Sequence, residues 1–549
     1  MKSVRIIKDK IILGATIGNC VHVAGILNFL QLAETEGCKT IFLGNAITIN
    51  NLIISIKKIK PDIVAISYRL TPESAQKIFN ELKKKAKGLK TEFIFGGTKP
   101  VAEIAAKTGI FSKVFTGEES IQEIKNYLRG VKDDKKGKYF ADNLVDRINA
   151  LYPYPLIRHH YGRPTLKETI KGAKLIAESK ALDILSLGPD QNAQEHFFHP
   201  EEMDKKQDGA GGVPLRKPED LKAIYKASRC GNFPLIRCYA GTTDLIKWAE
   251  MSVKTIHNAW GAIPLCWYSV LDGRSERSLE ETIRENQDAI KWYARRKMPV
   301  EVNESHQWSL RDAHDSLAVA MAFLAAYSAR ALGVKHYVSQ YMFNTPPGTS
   351  PKMDLAKMLA KKEMIESLQD KNFKVFTQVR AGLSSFSSDM DIAKGQLSAS
   401  AVLSLTLKPH ILHVVGFSEG DHAVKSEELI ESCKIIHGVL KNSLYDLPDM
   451  KLDPQVQKRK KELIKEAKIL LKAIASLKMT EKGDPLTNPR IIAKAIKFGL
   501  LDAPHLKGNK VAKGEIATKI VNGKCVAINI LTGKILNEAE RIKKIIEEN

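Results

Sequence analysis

Five short apolar runs, each followed by an amphipathic stretch, fill the first 128 residues. KIILGAT precedes AGILNFLQLAETEG, TIFLG precedes TINNLIISIKKIK, and DIVAISY precedes PESAQKIFNELKKKA. TEFIFGG then precedes KPVAEIAAKTG, and KVFTG precedes ESIQEIKNYLRG. Short unbroken apolar runs fit strands covered on both faces, and the stretches between them carry the 3.6-residue period of helices. Strand and helix in strict alternation lead to a parallel sheet with helices on both sides. The fold class expected is therefore α/β, with a flavodoxin-like, Rossmann-like doubly wound domain over residues 1–130. Ligands of such sheets bind at the carboxyl ends of the strands.

The charged, glycine-containing stretch GVKDDKKGKYFAD opens a linker expected over 131–150. From 151 to 447 a longer β-then-α rhythm follows. Strand-like runs recur in LDILSLGPDQN, FPLIRCYAGT, IPLCWYSVLDG, PVEVNESHQW, KHYVSQYMFN, FKVFTQVRAG and HILHVVGFSE, with an eighth expected within 156–180. That size and rhythm predict a (β/α)₈ TIM barrel, with a second doubly wound sheet as the alternative. Residues 448–549 change character. A long basic amphipathic helix, a small strand pair in KIVNGKCVAINILTGKIL and a closing helix predict an accessory region packed on the barrel.

Length and composition narrow the class of protein. With 549 residues and 44% hydrophobic content, two or three well-cored domains are expected. No stretch has the length and apolarity of a membrane span. The start of the chain lacks the apolar region and cleavage site of a secretory signal, so a cytoplasmic location is expected. Seven scattered cysteines without a CxxC pair read as reduced thiols and exclude a zinc framework. The formal net charge of +23 comes mainly from lysines spread over helix faces among acids. No basic stripe with interleaved aromatics is present, so neither a nucleic-acid nor a membrane partner is expected.

At the end of the first strand stands GNCVHVAG, Gly18 to Gly25. It brings His22 to the ligand edge and leaves Gly25 without a side chain beneath it. The third strand ends in SYRLT, with Ser67 and Leu70, and the fourth in Gly96-Gly97. An imidazole, a hydroxyl and glycine openings thus come to one edge of one sheet. Taken alone, His22 reads equally as an ordinary turn or core histidine; the ordered combination is what points to a site.

This combination resembles the cobalamin-binding domains of B12-dependent mutases and methyltransferases, whose pattern is DxHxxG, SxL and GG after strands one, three and four. His22 and Gly25 match HxxG, Ser67 opens the SxL-like stretch with Leu70 one place late, and Gly96-Gly97 match GG. The resemblance implies that His22 is the metal ligand, binding cobalt from below. It also implies that Gly25, Ser67, Leu70, Gly96 and Gly97, with Thr116 and Gly117 at the fifth strand end, line the cofactor. The chain departs from the pattern at Cys20, which replaces the aspartate that fixes the histidine; Asn19 beside it is the other candidate for that task.

The barrel strands end in many polar residues, as active-site barrels do. Arg237, Arg274, Arg311 and Arg380 are candidates to hold a carboxylate, since a guanidinium fork fits one bidentately. Glu304 is the candidate to hold an ammonium or move a proton, and His306, Tyr239 and Gln340 complete the candidate catalytic set. Each alone also reads as an ion-paired loop residue. His306, His314 and Glu304 have the wrong spacing for a metal set.

In chain order the whole resembles the adenosylcobalamin-dependent carbon-skeleton mutases, glutamate mutase most closely, with the two parts fused. That resemblance implies an isomerase with adenosylcobalamin as cofactor, a small carboxylic or amino acid as substrate, and a radical rearrangement begun by cobalt–carbon homolysis. A homodimer is the expected assembly. A corrinoid methyltransferase and a non-enzymatic corrinoid carrier or sensor are the alternatives.

Overall fold

The structure, a computed structural model, describes residues 9–131, 140–239, 241, 243–382, 386–443, 447–477 and 483–548. The chain forms two compact units, Met1–Phe140 and Ala141–Asn549.

Unit 1 alternates as expected: β1 (Ile11–Ile17), α1 (Ala24–Thr35), β2 (Lys39–Ile47), α2 (Ile49–Ile59), β3 (Ile63–Tyr68), α3 (Pro72–Lys85), β4 (Glu92–Gly97), α4 (Lys99–Thr108), β5 (Lys113–Phe115) and α5 (Ile121–Leu128). The sheet is parallel in the order β2-β1-β3-β4-β5, the flavodoxin-like order. β3 is buried at every residue because helices cover both faces, which is why DIVAISY lacks a polar face. The core gathers Leu13, Ile17, Ile53, Val64, Ile66, Phe79 and Phe95. Threonine side chains at 48 and 71 accept from backbone N–H groups and start α2 and α3.

Unit 2 is built on eight parallel strands: β6 (Leu156–Tyr161), β7 (Ile184–Leu187), β8 (Leu235–Cys238), β9 (Gly261–Ile263), β10 (Val300–Val302), β11 (His336–Phe343), β12 (Lys374–Ala381) and β13 (Ile411–His413). Their order is β8-β7-β6-β13-β12-β11-β10-β9. First and last strands pair through Ile411↔Leu156 to His413↔Arg158, as in a barrel. Between β8 and β9 the contact is made just before β9: Ala259 N–H donates to the Ile236 carbonyl (2.9 Å) and Cys238 N–H to Asn258 Oδ1 (3.0 Å).

Two details differ from the sequence-based expectations. The stretch expected as a linker carries a helix, Leu144–Leu151, whose Arg147 is buried and donates to the Phe233 carbonyl (3.0 Å). The strand expected from IPLCWYSVLDG ends at Ile263 instead of continuing. Pro264 has no N–H for a ladder, and the next two N–H groups turn inward to Glu304. The uncertain eighth strand is β6, at the very start of its window. The C-terminal region shares one core with the barrel, through Leu463, Leu470, Ile474, Ile492 and Ile496. Arg459 of helix Pro454–Ala475 pairs with Asp315 (3.2 Å), to which Lys357 also pairs (3.2 Å). Among the described residues no helix is long and apolar enough to cross a membrane.

Candidate functional sites

In unit 1 the expected residues come together at the carboxyl edge of the sheet. Thr16, Ser67, Gly96 and Phe115 form one register row across β1, β3, β4 and β5. After β1 the chain turns sharply at Gly18, whose φ of +65° is left-handed; a Cβ there would lie 2.6 Å from Ile78 Cδ1. Gly18 N–H donates to the Ile47 carbonyl (3.0 Å) and Cys20 N–H to the Ile17 carbonyl (3.2 Å). The turn leaves His22 exposed just before α1, while Cys20 beneath it is fully buried. Cys20 Sγ lies 3.8 Å from His22 Nδ1. Asn19 is exposed and its Oδ1 accepts from the Tyr68 hydroxyl (3.4 Å).

The glycines divide into two kinds. A Cβ on Gly25, Gly96 or Gly117 would meet nothing within 4 Å, so each opens onto free space. A Cβ on Gly97 would lie 2.4 Å from the Tyr68 carbonyl, so this glycine serves close strand packing. Leu70 is half-buried against the core. The Thr116 and Gly117 N–H groups both donate to the Glu119 carboxylate (2.9 and 3.0 Å), which shapes the loop after β5.

In unit 2 the strand interiors converge on a buried polar cluster. Arg158 of β6 donates from Nε to Ser186 Oγ (2.8 Å) and from Nη1 to Gln378 Oε1 (2.6 Å); its Nη2 lies 2.8 Å from His160 Nε2. Gln378 Nε2 donates to Glu301 Oε1 (3.2 Å) and Gln340 Oε1 (3.1 Å). Glu301 Oε2 accepts from Trp260 Nε1 (2.8 Å) and stands 3.7 Å from Arg158 and 3.8 Å from Arg237. One carboxylate thus serves two buried arginines.

Arg237 is the unusual member. It is fully buried, yet among the described residues none of its three guanidinium nitrogens has a hydrogen-bond partner. It packs over the rings of Tyr239 (4.2 Å) and Trp260 (5.5 Å). A buried cation with unmet donors is costly, so an acceptor is called for there. His160 and His413 lie ring to ring at 4.6 Å, with Tyr239 edge-on to His160 at 5.0 Å. Burial first, then the Arg158 charge, holds both imidazoles well below their ordinary pKa, so they are neutral. His306 is pushed down to about 3 by burial and then by Arg380. Burial and then Arg237 lower Arg158 to about 9.

A second group lies at the turn after β9. Arg311 sits 3.9 Å over the Trp267 ring and Arg274 4.5 Å over Tyr268, with Asp272 3.6 and 3.8 Å from them. Burial, then the neighbouring Tyr239, pushes the Tyr268 phenol up.

Glu304 differs from the expected substrate-facing carboxylate. It is fully buried and accepts from Leu265 N–H (2.9 Å), Cys266 N–H (3.1 Å) and Trp308 Nε1 (2.8 Å). Burial raises its pKa. It anchors the turn that carries Trp267 and Tyr268. His314 pairs with Glu538 of the C-terminal helix, so Glu304, His306 and His314 do not converge on a metal. Among the described residues one group with metal-ligand spacing occurs, His199, Glu201 and Glu202, on an exposed loop.

Arg158, His160, Glu301 and His413 were not among the expected residues. The signal for the first two is the alternation in LIRHHY, which puts Arg158 and His160 on the same side of one strand. Glu301, a lone acid between two valines in a three-residue strand, carries the same signal.

No protein-family model matches the chain, and no curated protein does. Among solved structures, similar proteins include a novel cobalamin-binding protein from Desulfitobacterium hafniense DCB-2, at 26% identity over 23% of this chain, with a TM-score of 0.20. The match spans 60% of that protein's length. Another is OxsB, a cobalamin-dependent S-adenosylmethionine radical enzyme, at 12% identity over 99% of this chain and 79% of that one, again with a TM-score of 0.20. TM-scores this low carry neither fold nor function from those proteins to this chain.

Proposed function

We propose that the chain is a cobalamin-dependent enzyme acting on a small carboxylic or amino acid. Unit 1 would hold the cofactor, with His22 as a ligand to cobalt, and the barrel of unit 2 would hold the substrate. One observation carries the reading. An exposed imidazole and three glycine positions opening onto free space stand at one sheet edge, in the β–α order of the family pattern. A corrin and its nucleotide tail need a path free of side chains, and Gly25, Gly96 and Gly117 leave one. Ser67 supplies a hydroxyl in the same row as Gly96. Neutral imidazole suits cobalt.

The specific form of the reading is an adenosylcobalamin-dependent mutase. When bound, adenosylcobalamin supplies a carbon-centred radical through homolysis of its cobalt–carbon bond. The rest falls to the protein. Arg237, with its unmet donors, binds the substrate carboxylate. Glu301 stands beside both arginines and Gln378 holds Arg158. Arg158 can only donate to His160 Nε2, so the imidazole proton sits on Nδ1 and is available to the substrate as a donor. The ring of Tyr239 and the buried wall of Trp260 exclude water from the charged groups.

The test uses the full chain, incubated in the dark with adenosylcobalamin, freed of excess cofactor and mixed with a panel of carboxylic and amino acids. The expected result is retained cofactor and a paramagnetic resonance signal that appears only with the right acid. Failure to retain cofactor contradicts the cobalamin reading. Methyl transfer from methylcobalamin without any such signal contradicts the mutase and favours a methyltransferase.

A further inference from the structure

We propose that the Cys20 thiol donates a hydrogen bond to His22 Nδ1 and thereby makes His22 a weak, readily released lower ligand. The inference rests on the cobalamin reading and adds how firmly that site grips the metal.

Cys20 is held at both ends of its backbone. Its N–H donates to the Ile17 carbonyl, and its own carbonyl accepts from Ala46 N–H (3.1 Å) and from the Thr16 hydroxyl. Its side chain is therefore fixed within the core below the imidazole, with Sγ 3.8 Å from Nδ1. That separation suits a hydrogen bond to sulfur. The competing neighbour, Asn19, already receives the Tyr68 hydroxyl on its amide oxygen.

A neutral imidazole carries one proton, so one nitrogen donates and the other accepts. To bind a metal through Nε2, the ring must keep its proton on Nδ1, and that N–H needs an acceptor. A carboxylate is a strong acceptor and rewards this tautomer. A thiol sulfur is a weak acceptor, whereas its S–H can donate to a bare Nδ1. The thiol therefore favours the ring with its proton on Nε2, the nitrogen cobalt would need. Ligation then requires the proton to move to Nδ1 and the thiol to turn from donor to acceptor. Partners of this kind alter metal affinity by about 10- to 100-fold. Cys20 is thus a positioning residue that loosens the axial bond.

The tautomer is readable without cofactor. Long-range ¹⁵N–¹H correlation spectra of the full chain with labelled histidine, with the His22 signal identified by its loss in His22→Gln, are expected to show Nε2–H in the wild type and Nδ1–H in Cys20→Asp. With hydroxocobalamin as the probe, the absorption spectrum is expected to show a His-ligated fraction about 10-fold or more larger, relative to the unligated form, in Cys20→Asp. Should the buried carboxylate prevent folding, Cys20→Ala, which removes the donor, is expected to raise both the Nδ1–H share and the ligated fraction. A wild-type ring already protonated on Nδ1, or variants matching the wild type in tautomer and spectrum, would overturn the inference. Hydroxocobalamin binding to none of the proteins would defeat the cobalamin reading, and the apo tautomers would still decide the Cys20–His22 bond.

Discussion

The two sheets of this chain prepare their carboxyl ends in opposite ways. Unit 1 prepares its edge by leaving side chains out: Gly25, Gly96 and Gly117 face free space, and a single exposed imidazole stands above a buried core. Unit 2 fills its interior with charge: two fully buried arginines share one glutamate, and neutral histidines line the strands beside them. The contrast separates two means of recognition. On the proposed function, a broad ligand enters unit 1 by shape, through missing Cβ atoms. On the same reading, a small charged one is selected in unit 2 by the guanidinium donors of Arg237, which have no hydrogen-bond partner among the described residues.

The largest effect is expected where the donors are unmet. Arg237→Met keeps length and apolar packing and removes the charge. Carboxylate affinity, measured by calorimetry, should fall on the order of 100-fold, about what a charged bidentate contact is worth. The melting temperature should fall little, because Glu301 keeps Arg158 as its partner when Arg237 is lost. Unchanged affinity together with lost stability would make Arg237 a structural ion.

The glycines offer a sharper contrast within unit 1. Gly25→Leu, in the first turn of α1, should leave stability unchanged or slightly higher and lower corrinoid affinity by about 10-fold or more, since the added side chain occupies the open path. Gly97→Ala should do the reverse. It should cost about 1–3 kcal/mol by forcing a Cβ against the Tyr68 carbonyl. If both variants behave alike, the division into open and packed glycines is wrong.

Acid should separate the units more gently. In unit 2, His160, His306 and His413 have pKa values lowered by burial. The unfolded chain binds more protons than the folded one below about pH 6.5, so stability present at neutral pH is lost as the pH falls through that value. Unit 1 has His22 as its sole histidine, and it is exposed. Hydrogen exchange at pH 7 and pH 5 should show the core of unit 2 opening more readily at the lower pH, with little change in unit 1. Equal loss of protection in both units would remove this distinction.

The fold of unit 1 was legible because its inner strands, β3 above all, are apolar on both faces, and its turns carry glycines whose absence of a side chain is the signal. The barrel rhythm was legible too, but its strands are short, and polar interior residues break the apolar runs that mark them. β6 reads LIRHHY because half of it fills a charged interior, so it lacks the apolar run that marks the other strands and only a window could be set for it. Glu304 misled for a related reason. A carboxylate after a strand suggests a substrate contact, and only the folded backbone reveals that the Leu265 and Cys266 N–H groups need it. The unmet donors of Arg237 have no sequence signature at all, because they depend on what surrounding strands fail to supply.

On the proposed function, the edge of unit 1 holds a corrinoid through His22. Equilibrium titration of the full chain with hydroxocobalamin, followed by absorption, tests it most directly beside His22→Ala. Saturable binding at one corrinoid per chain is expected. An imidazole-ligated fraction in that spectrum, small beside the unligated form, should be lost in His22→Ala. A chain that binds no corrinoid, or a variant whose spectrum and affinity match the wild type, would contradict it.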